Sequence, residues 1–185
     1  QIQLVVAYIG FKIKINVKKY SIRPYQESDY ELWNTFVSAS KNATFLFHRD
    51  FMEYHKERFE DFSLLVFDKV KLVAVLPANR VDNKVYSHQG LTYGGLVYAS
   101  KLKIEKIEVI LDLLFDFFKS KRIEHFYLHP IPSFYLGQGN AAIDFFLMKR
   151  GAQLYRKEMN MVAHLHQEIP ISKSKLKHFR RTELL

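Results

Sequence analysis

The sequence predicts a domain of mixed α/β (α+β) class, built on one central sheet that is antiparallel in its first part and flanked by helices. Hydrophobic periodicity gives the order strand, helix, helix, three strands, helix, strand, helix, strand. A chain of 185 residues, 48% of them hydrophobic, is long enough to bury a core of its own. No internal repeat or low-complexity tract interrupts it, so one main domain is expected.

The first strand and the two helices after it are predicted from local signals. A strand is expected over residues 19–26. Ser28 and Glu31 have the spacing of a capping box, in which each side chain bonds to the other residue's backbone amide. This pair predicts a helix that runs to about Ala39, and a second helix is expected over about residues 49–59.

Three strands with tight connections then form an antiparallel meander. Short apolar or alternating runs are separated by the turn pairs Asp68-Lys69 and Asp82-Asn83. The predicted strands are residues 63–67, 71–81 and 84–90.

The last part of the domain is predicted as helix, strand, helix and strand. From Lys103, apolar residues recur at three- and four-residue spacing, as a helix that packs on a sheet requires. A strand over residues 124–132 precedes a helix over residues 141–150, and Gly151 takes the position after its C-terminal cap. The final strand is expected over residues 153–165.

The net charge of +9 is concentrated at the two ends of the chain. Residues 1–24 carry a net charge of +5 and residues 166–185 carry +3, which leaves about +1 for everything between. A nucleic-acid module more often spreads basic residues over a face of its folded body, so this function is not favoured. Residues 1–18 are expected to be a strand or an added extension, 19–168 the domain, and 169–185 a basic helical tail or linker to a second half.

Composition excludes several kinds of site. The chain has no cysteine, which removes disulfides, thiolate metal sites and cysteine nucleophiles, and fits a cytoplasmic location. The apolar run near the N-terminus is too short to span a bilayer and is not followed by a signal-peptidase pattern, so no membrane span is expected. The eight histidines are scattered, with His164 and His166 the one close pair, and no metal site is expected.

Residues 88–98, HQGLTYGGLVY, are the strongest candidate for a binding site. Gly90, Gly94 and Gly95 would expose main-chain amides at the end of a strand, where they could bind a carbonyl or phosphate oxygen. A bulge or tight turn is the structural alternative, since glycine is the default residue there. Tyr93 would donate to an oxyanion or leaving group, or be a buried aromatic.

Two histidines and a second tyrosine are further candidates. His88 lies beside the glycines and could act as a base on a substrate amine, or be a hydrogen-bonded structural residue. His129 and Tyr135 lie at and beyond the C-terminal end of the strand that starts near residue 124, where such folds often open a cleft. Arg80 would bind a carboxylate or phosphate, or be a solvated charge.

Four stretches of the chain resemble a known family. They are residues 29–67, 71–80 and 86–98, together with PSFYLGQGNAAIDFFLMKRGAQLYRKEMNMVAHL at 132–165. They are similar to the N-terminal half of Fem-like acyltransferases, which are related to the GNAT superfamily with its acyl-CoA N-acyltransferase fold. The resemblance covers about residues 19–185.

The resemblance implies an N-acyltransferase whose acyl donor is acyl-CoA or aminoacyl-tRNA, with no covalently bound cofactor. The acceptor it implies is an amine of a peptidoglycan precursor or an amino sugar, and the one nucleic acid it implies is tRNA as donor. Fem-like enzymes commonly have two such halves. The implied alternative is therefore a non-catalytic half that needs a second half or a homodimer. The usual pyrophosphate-binding signature is not cleanly present; its nearest match is residues 136–140.

Overall fold

A computed structural model describes residues 2–7, 20–132, 135, 142–157 and 172–181 of the chain, with the backbone alone for residues 2–7. Within these described residues, the strands are β1 (Ile2–Ala7), β2 (Tyr20–Pro24), β3 (Glu60–Asp61), β4 (Leu64–Asp68), β5 (Lys71–Leu76), β6 (Asn79–Val81), β7 (Lys84–Tyr86), β8 (Val97–Tyr98), β9 (His125–Leu128) and β10 (Gln153–Lys157). The α-helices are α1 (Tyr30–Ala39), α2 (Arg49–Met52), α3 (Ile104–Ser120), α4 (Ala142–Lys149) and α5 (Lys173–Arg181).

The strands form two sheets flanked by helices, and the mixed class predicted from the sequence is confirmed. One sheet is antiparallel throughout, with the order β2-β4-β5-β8. The other has the order β10-β1-β9-β7-β6-β3. Within the described strands, β7 and β9 are the parallel pair of this second sheet. The single central sheet of the prediction is therefore present as two.

The division into two sheets occurs at Pro77. The predicted strand over residues 71–81 ends at Leu76 and resumes at Asn79, with β5 in the first sheet and β6 in the second. Proline has no N–H to give to a strand ladder, and this absence explains why the ladder stops. The prediction of one continuous strand was wrong at this position.

The start of α1 also differs from the prediction. The first turn is a 3-10 turn over Glu27–Asp29, and no side chain caps α1 itself. Asp29 accepts a hydrogen bond from the backbone N–H of Gln26 at 3.0 Å and two from the Arg23 guanidinium at 2.5 and 2.6 Å. The Arg23 bonds lower the pKa of the Asp29 carboxyl. Asp29 thus has the anchoring role that the sequence had assigned to Ser28 and Glu31.

Other boundaries follow the predictions with local differences. The second predicted helix is α-helical over Arg49–Met52 and continues as a 3-10 helix over Glu53–Arg58. Gly151 has φ +81° after α4, as expected of a residue after a C-terminal cap. The predicted strand over residues 153–165 is seen to Lys157, and the remainder lies outside the described residues.

The core forms on both sides of the antiparallel sheet because strand side chains alternate in direction. On β4, Leu64 and Val66 join a cluster with α3 and α4, whereas Leu65 joins a cluster with α1. The first cluster takes the apolar stripe of α3, namely Ile107, Ile110, Leu111, Leu114, Phe115 and Phe118. Helices pack against both faces of β4 as a result.

Candidate functional site

A cleft opens where the two sheets separate, between the segment that leads into β8 and the end of β9. It has an empty volume of about 380 Å³, the open solvent at its mouth included. Ile143 and Asp144 of α4 are part of its lining. The other described lining residues are Asn42, Gly94, Gly95, Leu96, Leu128, Pro130 and Ile131.

The cleft exists because the chain pairs with β7 along β9 but bridges to Gly94 just beyond the end of β9. The Ser87 N–H donates to the Tyr127 carbonyl at 2.9 Å, and the His129 N–H donates to Ser87 Oγ at 3.0 Å. The Gly94 N–H then donates to the His129 carbonyl at 2.6 Å. From there the chain enters β8, which pairs with β5 on its far side. The two segments therefore diverge after one shared bridge, and the gap between them is the cleft.

Glycine is required at both positions 94 and 95. A Cβ atom at Gly94 would lie 1.6 Å from the Ser87 carbonyl oxygen, which is far inside van der Waals contact. Gly95 has φ +120°, a backbone conformation that L side chains rarely adopt. The two glycines let the chain pass against Ser87 and then turn into β8.

The predicted glycines differ in whether their backbone N–H groups donate a hydrogen bond. The Gly90 N–H donates to Nδ1 of His88 at 3.2 Å, and the Gly94 N–H is already used by His129. The N–H groups of Gly95 and Leu96 donate to no acceptor within the described part of the chain. Both residues line the cleft. Amides without a described acceptor are thus present at Gly95, which belongs to the predicted glycine set, and at Leu96, which does not.

Asn42, which the sequence placed only in a break between helices, supports the same wall. Its side chain is buried, with 6% of the residue exposed. Its Nδ2 donates to the Leu96 carbonyl at 2.8 Å, and its Oδ1 accepts the Tyr98 N–H at 3.2 Å. One amide side chain therefore satisfies two groups on the edge of β8 that faces away from β5, as a short neighbouring strand would.

Among the described lining residues, Asp144 is the charged one, and it was not among the residues predicted from the sequence. It lies in the first turn of α4 and is half-buried. Burial raises the pKa of its carboxyl above the ordinary 3.8. Among the described residues it has no hydrogen-bond or ion-pair partner. An acidic residue inside the apolar run AAIDFFLM was the available sequence signal.

The opposite end of α4 is heavily paired. The Arg150 guanidinium donates to Asp112 Oδ1 at 2.6 and 2.8 Å and lies 3.3 Å from Glu108 Oε1. Lys149 Nζ donates to the same Glu108 oxygen at 3.0 Å, which lowers the pKa of Glu108. Burial raises the pKa of Asp112 despite Arg150. These bonds fix α4 on α3, and they fix the end of the cleft with it.

His88 and Gly90 form a turn away from the lining residues. His88 is buried, has φ +79°, and its ring lies edge-on to Phe59 with centroids 5.4 Å apart. Asn79 holds the next residue, because its Oδ1 accepts the Gln89 N–H at 2.7 Å. The structure does not bring His88 or Gly90 to the cleft with Gly94 and Gly95.

The remaining predicted residues, Tyr93, Tyr135, His129 and Arg80, are not among the residues that line the cleft. Tyr93 is buried in the α1-side cluster, and its ring contacts Tyr135 at a centroid distance of 5.5 Å. Tyr135 is 59% exposed. His129 contributes main-chain bonds beside the cleft, as given above. Arg80 donates through Nε to the Asp82 carbonyl at 2.7 Å.

The described residues contain neither a metal-binding cluster nor a membrane-spanning helix. No group of three or more His, Asp or Glu side chains there comes together in a way that could hold a metal ion. Within the same part of the chain, no helix has the length and apolar character needed to cross a membrane. His164, His166 and the glycine-containing segment 136–140 lie outside the described residues.

Comparison with known proteins identifies the fold through solved structures. No protein-family model matches the chain, and no curated protein sequence matches it. The structure of L-PGS from Bacillus licheniformis is similar with a TM-score of 0.56 and 10% identity, over 83% of this chain and 57% of that one. The ribosomal-protein-S18-alanine N-acetyltransferase from Escherichia coli matches with a TM-score of 0.42 and 12% identity, over 56% of this chain and 62% of that one.

This chain spans less than two thirds of the length of both solved structures. At 10% identity, the property shared with L-PGS is the fold. The mixed α+β fold expected from the sequence, with sheets flanked by helices, is confirmed, and it is similar to the fold of L-PGS.

Proposed function

We propose that this chain is an N-acyltransferase domain whose acyl donor binds in the cleft between the β8 segment and the end of β9. One observation carries the proposal: Gly95 and Leu96 line a cleft in a GNAT-like fold, and their N–H groups have no acceptor among the described residues. Backbone amides held in place by the surrounding sheet are well suited to bind an acyl carbonyl oxygen as it becomes negative.

The proposed reaction is attack of an amine on the acyl carbon. The nitrogen lone pair forms the new C–N bond, and the carbonyl oxygen becomes an oxyanion near the Gly95 and Leu96 amides. The bond from carbon to sulfur, or to oxygen in an ester donor, then breaks with its electron pair on the leaving group. One proton moves from nitrogen to the leaving group, and any further proton goes to water. Positioning of the two reactants supplies much of the rate enhancement.

The donor and acceptor classes are part of the proposal. We propose acyl-CoA or aminoacyl-tRNA as donor and an amine of a cell-wall precursor or an amino sugar as acceptor. The resemblance of residues 29–67 and 132–165 to Fem-like enzymes supports both. The match of this chain to 57% of the length of L-PGS is compatible with one half of a larger enzyme.

The other predicted residues receive supporting roles in this proposal. His129 holds Gly94 through its carbonyl, and so positions the cleft wall. His88 and Tyr93 are buried in the turn and in the core, and we propose that they shape the loop without touching substrate. Tyr135, the exposed partner of Tyr93, is the predicted residue best able to meet a substrate.

Filling the cleft tests the proposal. Ile131 lines the cleft and is half-buried, so Ile131→Trp adds bulk there and removes no fully buried side chain. We expect the affinity for donor to fall by about tenfold or more, a change of about 1.4 kcal/mol. Acetyl-CoA is measured by calorimetry and aminoacylated tRNA by filter binding.

Val70→Trp is the matched control, because Val70 is 94% exposed in the turn between β4 and β5. It adds the same side chain far from the cleft and should bind donor as the parent chain does. Binding of neither donor by the parent chain would contradict the proposal. Equal binding by both tryptophan variants would place the donor elsewhere.

A second candidate function is a non-catalytic half-domain that binds substrate and needs a partner half. The observation that favours it is the size of the cleft, whose empty volume of about 380 Å³ includes the open solvent at its mouth. Ligand sites are typically about 300–1,000 Å³, so this cleft is at the small end of that range. Donor binding without release of the leaving group, together with dimeric mass in solution, would support this function over the enzyme.

A further inference from the structure

Among the described residues that line the cleft, Asp144 is the charged one, and its charge is negative. The other described lining residues are glycines, apolar side chains and Asn42. The two amide atoms of Asn42 are occupied by Leu96 and Tyr98. A ligand group beside α4 in the cleft therefore meets a half-buried carboxylate among these mainly apolar residues.

No cation in the described part of the chain balances Asp144. The basic residues of α4 and its end, Lys149 and Arg150, are paired with Glu108 and Asp112 on α3. The raised pKa of Asp144 has burial as its cause and no contribution from a nearby charge. Ionised carboxylates are costly to bury unless they are paired, so this one lacks a partner that it would normally have.

An ammonium group would supply the positively charged partner that Asp144 lacks among the described residues. A carboxylate that has already lost part of its water binds a cation more strongly than an exposed one, and its hydrogen bonds to N⁺–H are charge-assisted. An anionic group would be repelled by Asp144, and a neutral group would leave its charge unbalanced. A single carboxylate is also a poor metal site, because Mg²⁺ and Ca²⁺ take several oxygen ligands.

We infer that Asp144 binds the acceptor of the proposed reaction through its ammonium group, and that the acceptor class is therefore a primary amine that arrives positively charged. The inference rests on the proposed function. Asp144 acts as a specificity-determining residue: it selects the amine and holds it where α4 lines the cleft, while Gly95 and Leu96, which line the same cleft, bind the donor.

The structural alternative is that Asp144 only stabilises α4. An acidic side chain in the first turn of a helix interacts favourably with the helix dipole, by up to about 1 kcal/mol. In that case Asp144→Asn would lower the melting temperature and leave amine binding unchanged. The two roles therefore separate in experiment.

Direct binding of a small cation is the first test and needs no donor. The carboxyl resonances of the chain, labelled with ¹³C at aspartate, are titrated with acid in methylammonium chloride and in sodium chloride at equal concentration. We expect methylammonium to lower the apparent pKa of Asp144 relative to its value in sodium chloride. Equal titration of Asp144 in the two salts would overturn the inference.

Amine selectivity in transfer is the second test. Thiol released from acetyl-CoA is followed with a thiol reagent, to which this cysteine-free chain adds no background. Glucosamine and alanine amide serve as amines. We expect Asp144→Asn to raise the amine KM by about tenfold or more without changing the acetyl-CoA KM, and Asp144→Glu to recover part of the loss. Asp116→Asn is the matched control and should behave as the parent chain.

The outcomes separate this inference from the proposed function. If acetyl-CoA and aminoacylated tRNA do not bind but methylammonium shifts the Asp144 titration, the ammonium site stands and the transferase proposal fails. If transfer proceeds with an unchanged amine KM in Asp144→Asn, the transferase proposal stands and the role of Asp144 is wrong.

Discussion

The two ends of α4 differ in whether their charged side chains are paired. At its C-terminal end, Arg150 and Lys149 meet Glu108 and Asp112 in a network of ion pairs. At its N-terminal end, Asp144 lines a cleft with no partner among the described residues. Both Asp112 and Asp144 have a pKa raised by burial, yet only Asp112 receives a compensating cation.

This difference in pairing indicates that the C-terminal end of α4 stabilises the fold and that the N-terminal end is available to bind a ligand. A buried charge with partners is compatible with a purely structural role. A half-buried charge without them lowers stability, and such costs concentrate at functional sites. Gly95 and Leu96, which line the same cleft, have the same character, because their amides have no acceptor among the described residues. The paired end of α4 holds the helix, and the unpaired end lines the cleft together with these main-chain amides.

The largest expected effect is on the cleft wall itself. Gly94→Ala would place a methyl group 1.6 Å from the Ser87 carbonyl oxygen, and neither backbone segment can move without loss of the bridge to Pro130. We expect a loss of about 4 kcal/mol or more in the free energy of unfolding, or no folded protein. Urea unfolding followed by circular dichroism measures it.

Gly90→Ala is the matched control for that substitution. Its added methyl group would meet Cε2 of Phe59 at 2.7 Å, and a ring edge can move aside. A cost of about 1 kcal/mol or less is expected. Similar losses in the two variants would mean that Gly94 is no more constrained than Gly90, and that the wall of the cleft is not built on it.

The paired end of α4 gives the next largest effect. Arg150→Met keeps much of the apolar stem but removes the bonds to Asp112, Glu108 and the Phe146 carbonyl. Because Asp112 is then left buried and unpaired, we expect a loss of about 2–3 kcal/mol in unfolding free energy. Lys149→Met, at a side chain 54% exposed, should cost about 0.5 kcal/mol or less.

Chemical denaturation of the two variants side by side checks this prediction. Equal stabilities would show that the Arg150 network does not hold α4, and the contrast between the two ends of the helix would then have no energetic basis. A loss confined to Arg150→Met would support it.

The elements of the fold were largely predictable, because their signals are local. The apolar stripe of α3 predicted a helix from Lys103, and it begins at Ile104. Gly151 predicted the end of α4 in the same way. Pro77 was the local signal that went unused: a residue without an N–H, placed inside a predicted strand, marks the point where the chain leaves one sheet for the other.

The site was predictable only in part, because its members are neighbours in space and not in sequence. His88, Gly90, Gly94 and Gly95 belong to one motif, but Phe59 packs against the first two while Ser87 and His129 hold the second two beside a cleft. No local pattern separates these environments. Asn42 and Asp144 reach the same cleft from distant segments, and each is an ordinary polar residue until the fold brings it there.

The smallest expected change in stability is a gain, whereas the other substitutions are expected to cause losses. It bears most directly on the comparison between the two ends of α4. Asp144→Asn removes an unpaired half-buried charge, so we expect the chain to become slightly more stable at neutral pH, by up to about 1 kcal/mol. The pKa of Asp144 is raised in the folded state, so its proton is held more tightly there than in the unfolded chain. The protonated Asp144 carboxyl therefore contributes stability at a pH below its unfolded-state pKa. This contribution is lost as the pH rises through the pKa that Asp144 has in the folded state.

The asparagine variant lacks that loss, so its advantage over the parent chain should grow from near zero at acidic pH to its full value near neutrality. Melting temperatures across this pH range measure it. Asp112→Asn is the control with the same direction of pKa shift but a partner to lose, and it should destabilise at neutral pH because Arg150 is left without Asp112. A neutral-pH loss in Asp144→Asn would instead show that Asp144 stabilises α4 through the helix dipole, and the two ends of the helix would then be alike in serving the fold.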